Sequence, residues 1–217
     1  MICIRRSNRD VRKEILMQLY RKIAIAALLI LTMLTVQGRS ALAASDISPV
    51  QLVKSRNEAV DKILASAGDN IAQSTKEKLK DIINGFIDFR ELSRLALGKH
   101  WKARTEQEKK DFTNVFQQLI RNSSVKKLEI YKADRIEYEA PKISGKIAKV
   151  NTIAYKGRKQ VEVLYKMHQV GGGWKVFDME IDGVSTALNY RGSFYKQIAK
   201  TSYKEMYDKL VARLAEK

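Results

Sequence analysis

The sequence predicts an α+β fold, and three observations predict it. Helical spacing with capping residues fills 48–131, period-two alternation broken by short turns fills 136–177, and helical spacing returns from about 185 to 216. Helices, then neighbouring strands, then helices, with no linker, repeat or low-complexity tract, describe helices packed on one antiparallel sheet rather than an alternating parallel one. The 217 residues are 45% hydrophobic and 30% charged, enough apolar material for a real core and far from a disordered or polytopic membrane composition.

The elements follow in chain order. Residues 23–36 form an uncharged apolar run, shorter than the about 20 residues a membrane-spanning helix needs. Arg21 and Lys22 precede it, and Ala41-x-Ala43 offers small side chains after it. That order predicts a secretory signal over residues 1–43, cut near Ala43, with translation starting at Met17 to give a conventional length. The formal charge of +17 shrinks accordingly: residues 44–217 carry 33 basic and 22 acidic side chains and no cysteine, because the lone Cys3 lies in the leader. The exported product is therefore expected to be one basic domain, 44–217, without disulfide, thiol nucleophile or Cys-held metal.

Ser48-Pro49 reads as an N-cap followed by Pro at the first helical position, with Leu52, Val53, Val60, Ile63 and Leu64 on one side up to Gly68. Ser74-x-x-Glu77 reads as a capping box for a helix carrying Leu79, Ile82, Ile83 and Phe86. Asp88-x-x-Glu91 opens a short helix that Gly98 stops. Thr105-x-x-Glu108 opens the longest, with Phe112, Val115, Phe116, Leu119 and Ile120 at helical spacing and an extension toward Leu128 and Tyr131. The period then changes. Ile136, Tyr138 and Ala140 alternate as far as Pro141; Ala148, Val150, Thr152 and Ala154 alternate against Lys149 and Asn151; Val161, Val163, Tyr165 and Met167 alternate against Glu162 and Lys166. Gly171–Gly173 make a turn before Trp174-Lys175-Val176-Phe177. Three or four antiparallel strands are expected. Ser202-x-x-Glu205 starts a closing helix with Met206, Leu210 and Leu214.

Catalytic and metal chemistry find little footing. His100 and His168 fall on different elements with no partner at ligand spacing, and no Ser sits in a nucleophile elbow. Asp178-x-Glu180-x-Asp182-Gly183 opens like a calcium loop but has Asn189 where the bidentate Glu belongs, so a strand end and turn are expected instead. The sequence reads as no enzyme, with no metal and no cofactor. Basic residues are scattered rather than interleaved with aromatics, which argues against nucleic acid. A basic exported protein instead suits anionic lipid head groups.

Taken together, three segments resemble a known family. They are Phe89-x-x-Leu92-Ser93-Arg94-Leu95-Ala96-Leu97-Gly98-Lys99-His100-Trp101 followed by Phe112…Phe116; Trp174-Lys175-Val176-Phe177-Asp178-Met179-x-Ile181-Asp182-Gly183-Val184-Ser185; and Asn189-Tyr190-Arg191-x-x-Phe194. The chain resembles, over about 50–215, the MlaC-type (toluene-tolerance) periplasmic phospholipid-binding proteins, soluble components of a lipid ABC transport system. Ser123-Ser124 stands where that family's pattern has Thr-Tyr, and Thr201-Ser202 where Gly is usual. The resemblance implies a curved antiparallel sheet of NTF2-like or cystatin-like shape, with N-terminal and C-terminal helices packed on it and an apolar lipid slot between. It implies a periplasmic carrier that moves phospholipid between an outer-membrane lipoprotein complex and the lipid-binding subunit of an inner-membrane ABC transporter, maintaining outer-membrane lipid asymmetry.

Alternation nominates the slot walls. Val161, Val163, Tyr165 and Met167 share a sheet face with Trp174 and Val176 beside them, and the stripe Phe112, Val115, Phe116 and Leu119 is expected to oppose it. Trp101, Phe177 and Met179 are expected in the core. Asp182, Asn189, Tyr190 and Arg191 are expected to hold the turn into the following helix. A carrier of another amphiphile such as a hopanoid, and an envelope interaction module with a solid interior, are the competing readings.

Overall fold

The computed structural model describes residues 47–67, 71–124 and 133–215. The expected signal segment, the helix stop at Gly68, and Leu128 and Tyr131 lie outside the described residues.

Helix α1 (Pro49–Ala67) begins where Ser48-Pro49 predicts. The Ser48 hydroxyl accepts the Gln51 N–H at 3.3 Å, and the Gln51 side chain accepts the Ser48 N–H at 3.2 Å, a closed capping box. Helix α2 (Gln73–Asn84) corrects the sequence expectation: its N-cap is Ala72, without a side-chain bond, and Ser74 sits inside the first turn. Starting earlier lets Gln73 bond Glu77 one turn on at 2.9 Å, and Glu77 also holds Lys80. Helix α3 (Phe89–Leu97) is capped by Asp88, which accepts the Glu91 N–H at 3.0 Å. It stops at Gly98, whose φ of +50° no L side chain adopts easily. A short 3₁₀ turn (Gly98–His100) then leads to Trp101, buried in the core. Helix α4 (Glu106–Ser124) carries both arms of its capping box: Glu108 N–H to Thr105 Oγ1 at 3.1 Å and Thr105 N–H to Glu108 Oε2 at 2.8 Å.

The sheet has six described strands rather than three or four: β1 (Arg135–Tyr138), β2 (Lys142–Ser144), β3 (Ile147–Lys156), β4 (Lys159–Val170), β5 (Gly173–Ile181) and β6 (Val184–Ser185). All pair antiparallel in the order β1-β3-β4-β5-β6, with β2 also on β3. Strand β2 is exposed throughout and β6 has two residues, so neither shows the alternation that betrays a strand. On the inner face Ala148, Val150 and Thr152 stand opposite Met167, Tyr165 and Val163, small against large, as close packing requires.

The partner register of β4 and β5 jumps between Lys166 and Met167, leaving Phe177 as an extra residue. The bulge changes which residues face inward. Val176 pairs with Met167, while Met179 and Ile181 pair with Tyr165 and Val163, so all three lie on the inner face despite their mixed parity. The outer edge of β5 is covered by the α2–α3 connection, with Asp88 N–H on Val176 O at 2.7 Å and Val176 N–H on Phe86 O at 2.8 Å. Asp182 and Gly183, both at positive φ, turn the chain into β6, and Ser185 caps α5 (Thr186–Lys200) by accepting the Leu188 N–H at 3.1 Å. Ser202 caps the closing helix α6 (Tyr203–Ala215) by accepting the Glu205 N–H at 3.1 Å.

One core joins the inner sheet face to α3, α4, α5 and α6. Its centre is aromatic: Phe116 meets Phe112, Phe194 and Tyr190 with ring centroids 4.9–5.6 Å apart. A smaller cluster of Val60, Leu79 and Ile83 joins α1 to α2.

Candidate functional site: an amphipathic cavity between sheet and helices

Five elements line a cavity of about 300 Å³. The ends of α2 and α4 supply Ile83, Asn84, Ile120, Ser123 and Ser124 on one side. The end of β5, β6 and the first turns of α5 supply Met179, Ile181, Val184 to Thr186, Asn189 and Tyr190 on the other. A narrow apolar recess continues from it past Ile120, Met179 and Thr186 to Ile87, Leu92, Val176 and Phe177. The cavity is therefore two-natured, with hydroxyl and amide groups among its walls and an aliphatic extension behind.

The bulge in β5 builds one wall, because it turns Met179 and Ile181 inward. The wall opposite is set by where α2 and α4 end side by side, tied by Lys80 Nζ to Asn122 at 3.0 Å and by Arg121 to Asp81 at 2.6 Å. The junction of β5 with α5 hangs on Asp178, which is 4% exposed. Its carboxylate accepts the Ser185 hydroxyl at 2.7 Å and the Ala187 N–H at 3.0 Å, so it serves the N-terminal end of α5, where orphan donors collect. Lys166 lies against both Asp178 and Glu180 on the outer face. Burial works to lower the Lys166 pKa, but the bond to Glu180 and the charge of Asp178 outweigh it and raise the ammonium above its ordinary value.

The three acids that open like a calcium loop are thus separately engaged: Asp178 by α5, Glu180 by Lys166, and Asp182 by the Glu162 N–H at 2.9 Å. His168 bonds Asp88 at 3.0 Å, joining β4 to the cap of α3. His100 packs edge-on against Tyr195, and burial, helped by Lys99 and Arg104, lowers its pKa.

The structure brings all ten sequence-nominated wall residues into the single main core. Phe112, Phe116, Leu119, Val163, Tyr165, Met167 and Val176 are buried there, with Val115, Val161 and Trp174 half-buried against them. Val176 reaches the apolar recess, whereas none of the ten lines the larger cavity. Trp101 is core as expected. Met179 packs against the core as expected and lines the cavity as well, whereas Phe177 stands at the bulge against the His168 ring, so for Phe177 the expectation of plain core is corrected. Asn189 and Tyr190 line the cavity too, while Arg191 binds the Leu95 carbonyl at 2.8 Å. Sequence spacing missed Met179 and Ile181 although a signal was present: in Val176-Phe177-Asp178-Met179-Glu180-Ile181 the apolar parity changes at Phe177, the mark of a bulge. Ser123 and Ser124 fall on the cavity wall.

An α+β fold with a cavity of mixed polarity between sheet and helices has the form of a protein that holds a ligand. The chain belongs to the MlaC protein family, whose model matches residues 54–215. Its fold is shared by a phospholipid-binding protein from Ralstonia solanacearum, solved in complex with a phospholipid, with TM-score 0.65, 18% identity, and 79% of this chain and 98% of that chain covered. No curated protein matches the chain.

Proposed function

We propose that this protein is a periplasmic phospholipid carrier that moves lipid between an outer-membrane lipoprotein complex and the lipid-binding subunit of an inner-membrane ABC transporter, and so maintains outer-membrane lipid asymmetry. The single observation that carries the reading is the amphipathic cavity, polar at the ends of α2 and α4 and aliphatic toward Val176. Family membership and the lipid complex of the Ralstonia solanacearum protein support it. A soluble carrier must hide acyl chains from water, each methylene being worth about 0.8 kcal/mol.

Val176 lines the apolar recess behind the cavity, and Phe112, Val115, Phe116, Leu119, Val161, Val163, Tyr165, Met167 and Trp174 belong to the core it joins; these ten are the proposed chain-binding residues. The proposed export under a signal cut near Ala43 delivers the carrier to the compartment where both partners meet it.

Native mass spectrometry of the exported protein, followed by organic extraction, tests the reading. A stoichiometric adduct of phospholipid mass is expected. A hopanoid or other amphiphile would keep the carrier and change its cargo. A bare mass that persists after incubation with lipid vesicles would overturn the carrier reading in favour of an envelope interaction module.

A further inference from the structure

Two hairpin tips sit side by side at one end of the sheet. One joins β2 to β3 through Gly145 and Lys146, the other joins β4 to β5 through Gly171 and Gly172, and between them the Gln169 N–H donates to the Lys146 carbonyl at 3.0 Å. A Cβ added at Gly145, Gly171 or Gly173 would touch nothing, so both tips project into solvent. The cavity is lined from the far end of β5, at Met179 and Ile181.

Apolar and cationic side chains share these tips. Ile143, Ile147 and Val170 are 54%, 42% and 41% exposed, three of the seven large apolar side chains left exposed among the described residues. Ile147 stands opposite His168 on the outer face, with Val170 two residues further along β4, and Ile143 stands opposite Ala148 on the inner side. The apolar groups therefore straddle the tip. Around them, segments 142–149 and 166–177 hold five lysines and no Asp or Glu. Lys142, Lys149 and Lys166 face one another in a row across three strands, an arrangement that like charges disfavour. Lys166 is neutralised by Asp178 and Glu180, but Lys142, Lys146, Lys149 and Lys175 are exposed and have no ion pair among the described residues. Lysines that only guarded the edge of the sheet would not stand beside exposed isoleucines, which invite the association that edge charges prevent. Aliphatic side chains on a protruding tip, ringed by unpaired ammonium groups, match a bilayer surface instead: the apolar groups enter the acyl boundary while the lysines reach anionic phosphates.

We propose that this double tip docks the protein on an anionic membrane surface, with Ile143, Ile147 and Val170 inserted and the surrounding lysines on the phosphates. The inference goes beyond the carrier reading, because it concerns a surface remote from the cavity, and either can fail alone.

The exported protein is sedimented with phosphatidylcholine vesicles, with and without about one-third phosphatidylglycerol. Binding about tenfold tighter to the anionic vesicles, and released by high salt, is expected. Lys146→Glu with Lys149→Glu, and separately Ile143→Ser with Ile147→Ser, should each weaken it about tenfold or more. Arg158→Glu with Lys159→Glu changes the net charge equally at the opposite end of the sheet and should leave binding within about twofold. Equal binding to the two vesicle types, isoleucine variants that bind like the parent, or a control that loses as much as the tip variants overturns the proposal. Absence of vesicle binding by the wild type overturns it too and turns the tips into a protein-docking surface. Should a tip variant fail to fold, an environment-sensitive probe on Ser144→Cys decides, residues 44–217 having no other cysteine. A blue shift on anionic vesicles supports insertion, and an unchanged spectrum refutes it. The lipid adduct of native mass spectrometry reads the cavity and is independent of either result.

Discussion

Gly98 is the residue where backbone and side-chain constraints coincide. Its φ is +50°, and a Cβ there would run into the Tyr195 hydroxyl. That hydroxyl also accepts the Lys99 N–H at 2.8 Å, so α5 is pinned to the end of α3 through one phenol. Gly98→Ala is expected to lower stability by about 2 kcal/mol or more, from backbone strain and the collision together. In a Tyr195→Phe background the same substitution should cost less, because the colliding atom is gone. Urea midpoints of the four proteins test the pair as a double-mutant cycle; additive losses would mean that the collision is absorbed elsewhere. Phe116 makes the complementary case for packing. It is fully buried and touches Phe112, Tyr190 and Phe194, so Phe116→Ala should cost about 3–5 kcal/mol, read from the same unfolding curves.

Between elements, Asp178 joins β5 to α5. Asp178→Ala would leave the Ser185 hydroxyl and the Ala187 N–H without their acceptor and Lys166 with Glu180 alone, and a loss of about 3 kcal/mol is expected. Because the same junction carries Met179 on one side and Asn189 on the other, lipid uptake should fall with it. An unchanged denaturation midpoint would refute this. The docking of α6 on α4 predicts a pH dependence. Burial, with the charge of Glu108 beside it, pushes the Tyr203 phenol from 10.0 up to about 12. A raised phenol means that the fold favours the neutral form, so the stabilisation is complete below pH 10.0 and is lost as the pH climbs to about 12. Tyr203→Phe should flatten the fall in stability over that window, and ultraviolet titration of the phenols should lose its latest-titrating component.

At the scale of the whole molecule, a protein that binds lipid must trade packing for room. Filling the cavity should separate binding from folding: Met179→Trp puts an indole into the space of about 300 Å³ and should cut lipid occupancy at least tenfold while leaving the melting temperature equal or higher. Occupancy falling together with the melting temperature would show a damaged wall instead of a filled one. Bound lipid should in turn stabilise the protein, since it binds only the folded chain; stripping it should lower the melting temperature, and vesicles should restore it.

Much of this protein was legible in the chain. Capping residues at 48, 88, 105 and 202 located four helix starts, since a cap is a local bond between residues three apart. Period-two alternation located β3 and β4, whose inner faces are buried as the pattern requires. The family resemblance rested on residues the family model also spans. Alternation along the strands and helical spacing along α4 together put ten apolar residues in one core, because the face an element buries is a property of that element's own period. The tertiary structure decided where that core is left unfilled. The cavity lies beside the predicted stripe, where the ends of α2, α4 and β5 and the start of α5 meet. It depends on a bulge at Phe177 that flips the facing of Met179 and Ile181. A void belongs to no single segment: it exists only where elements distant in sequence fail to close on one another, and sequence periodicity reports only what each element buries.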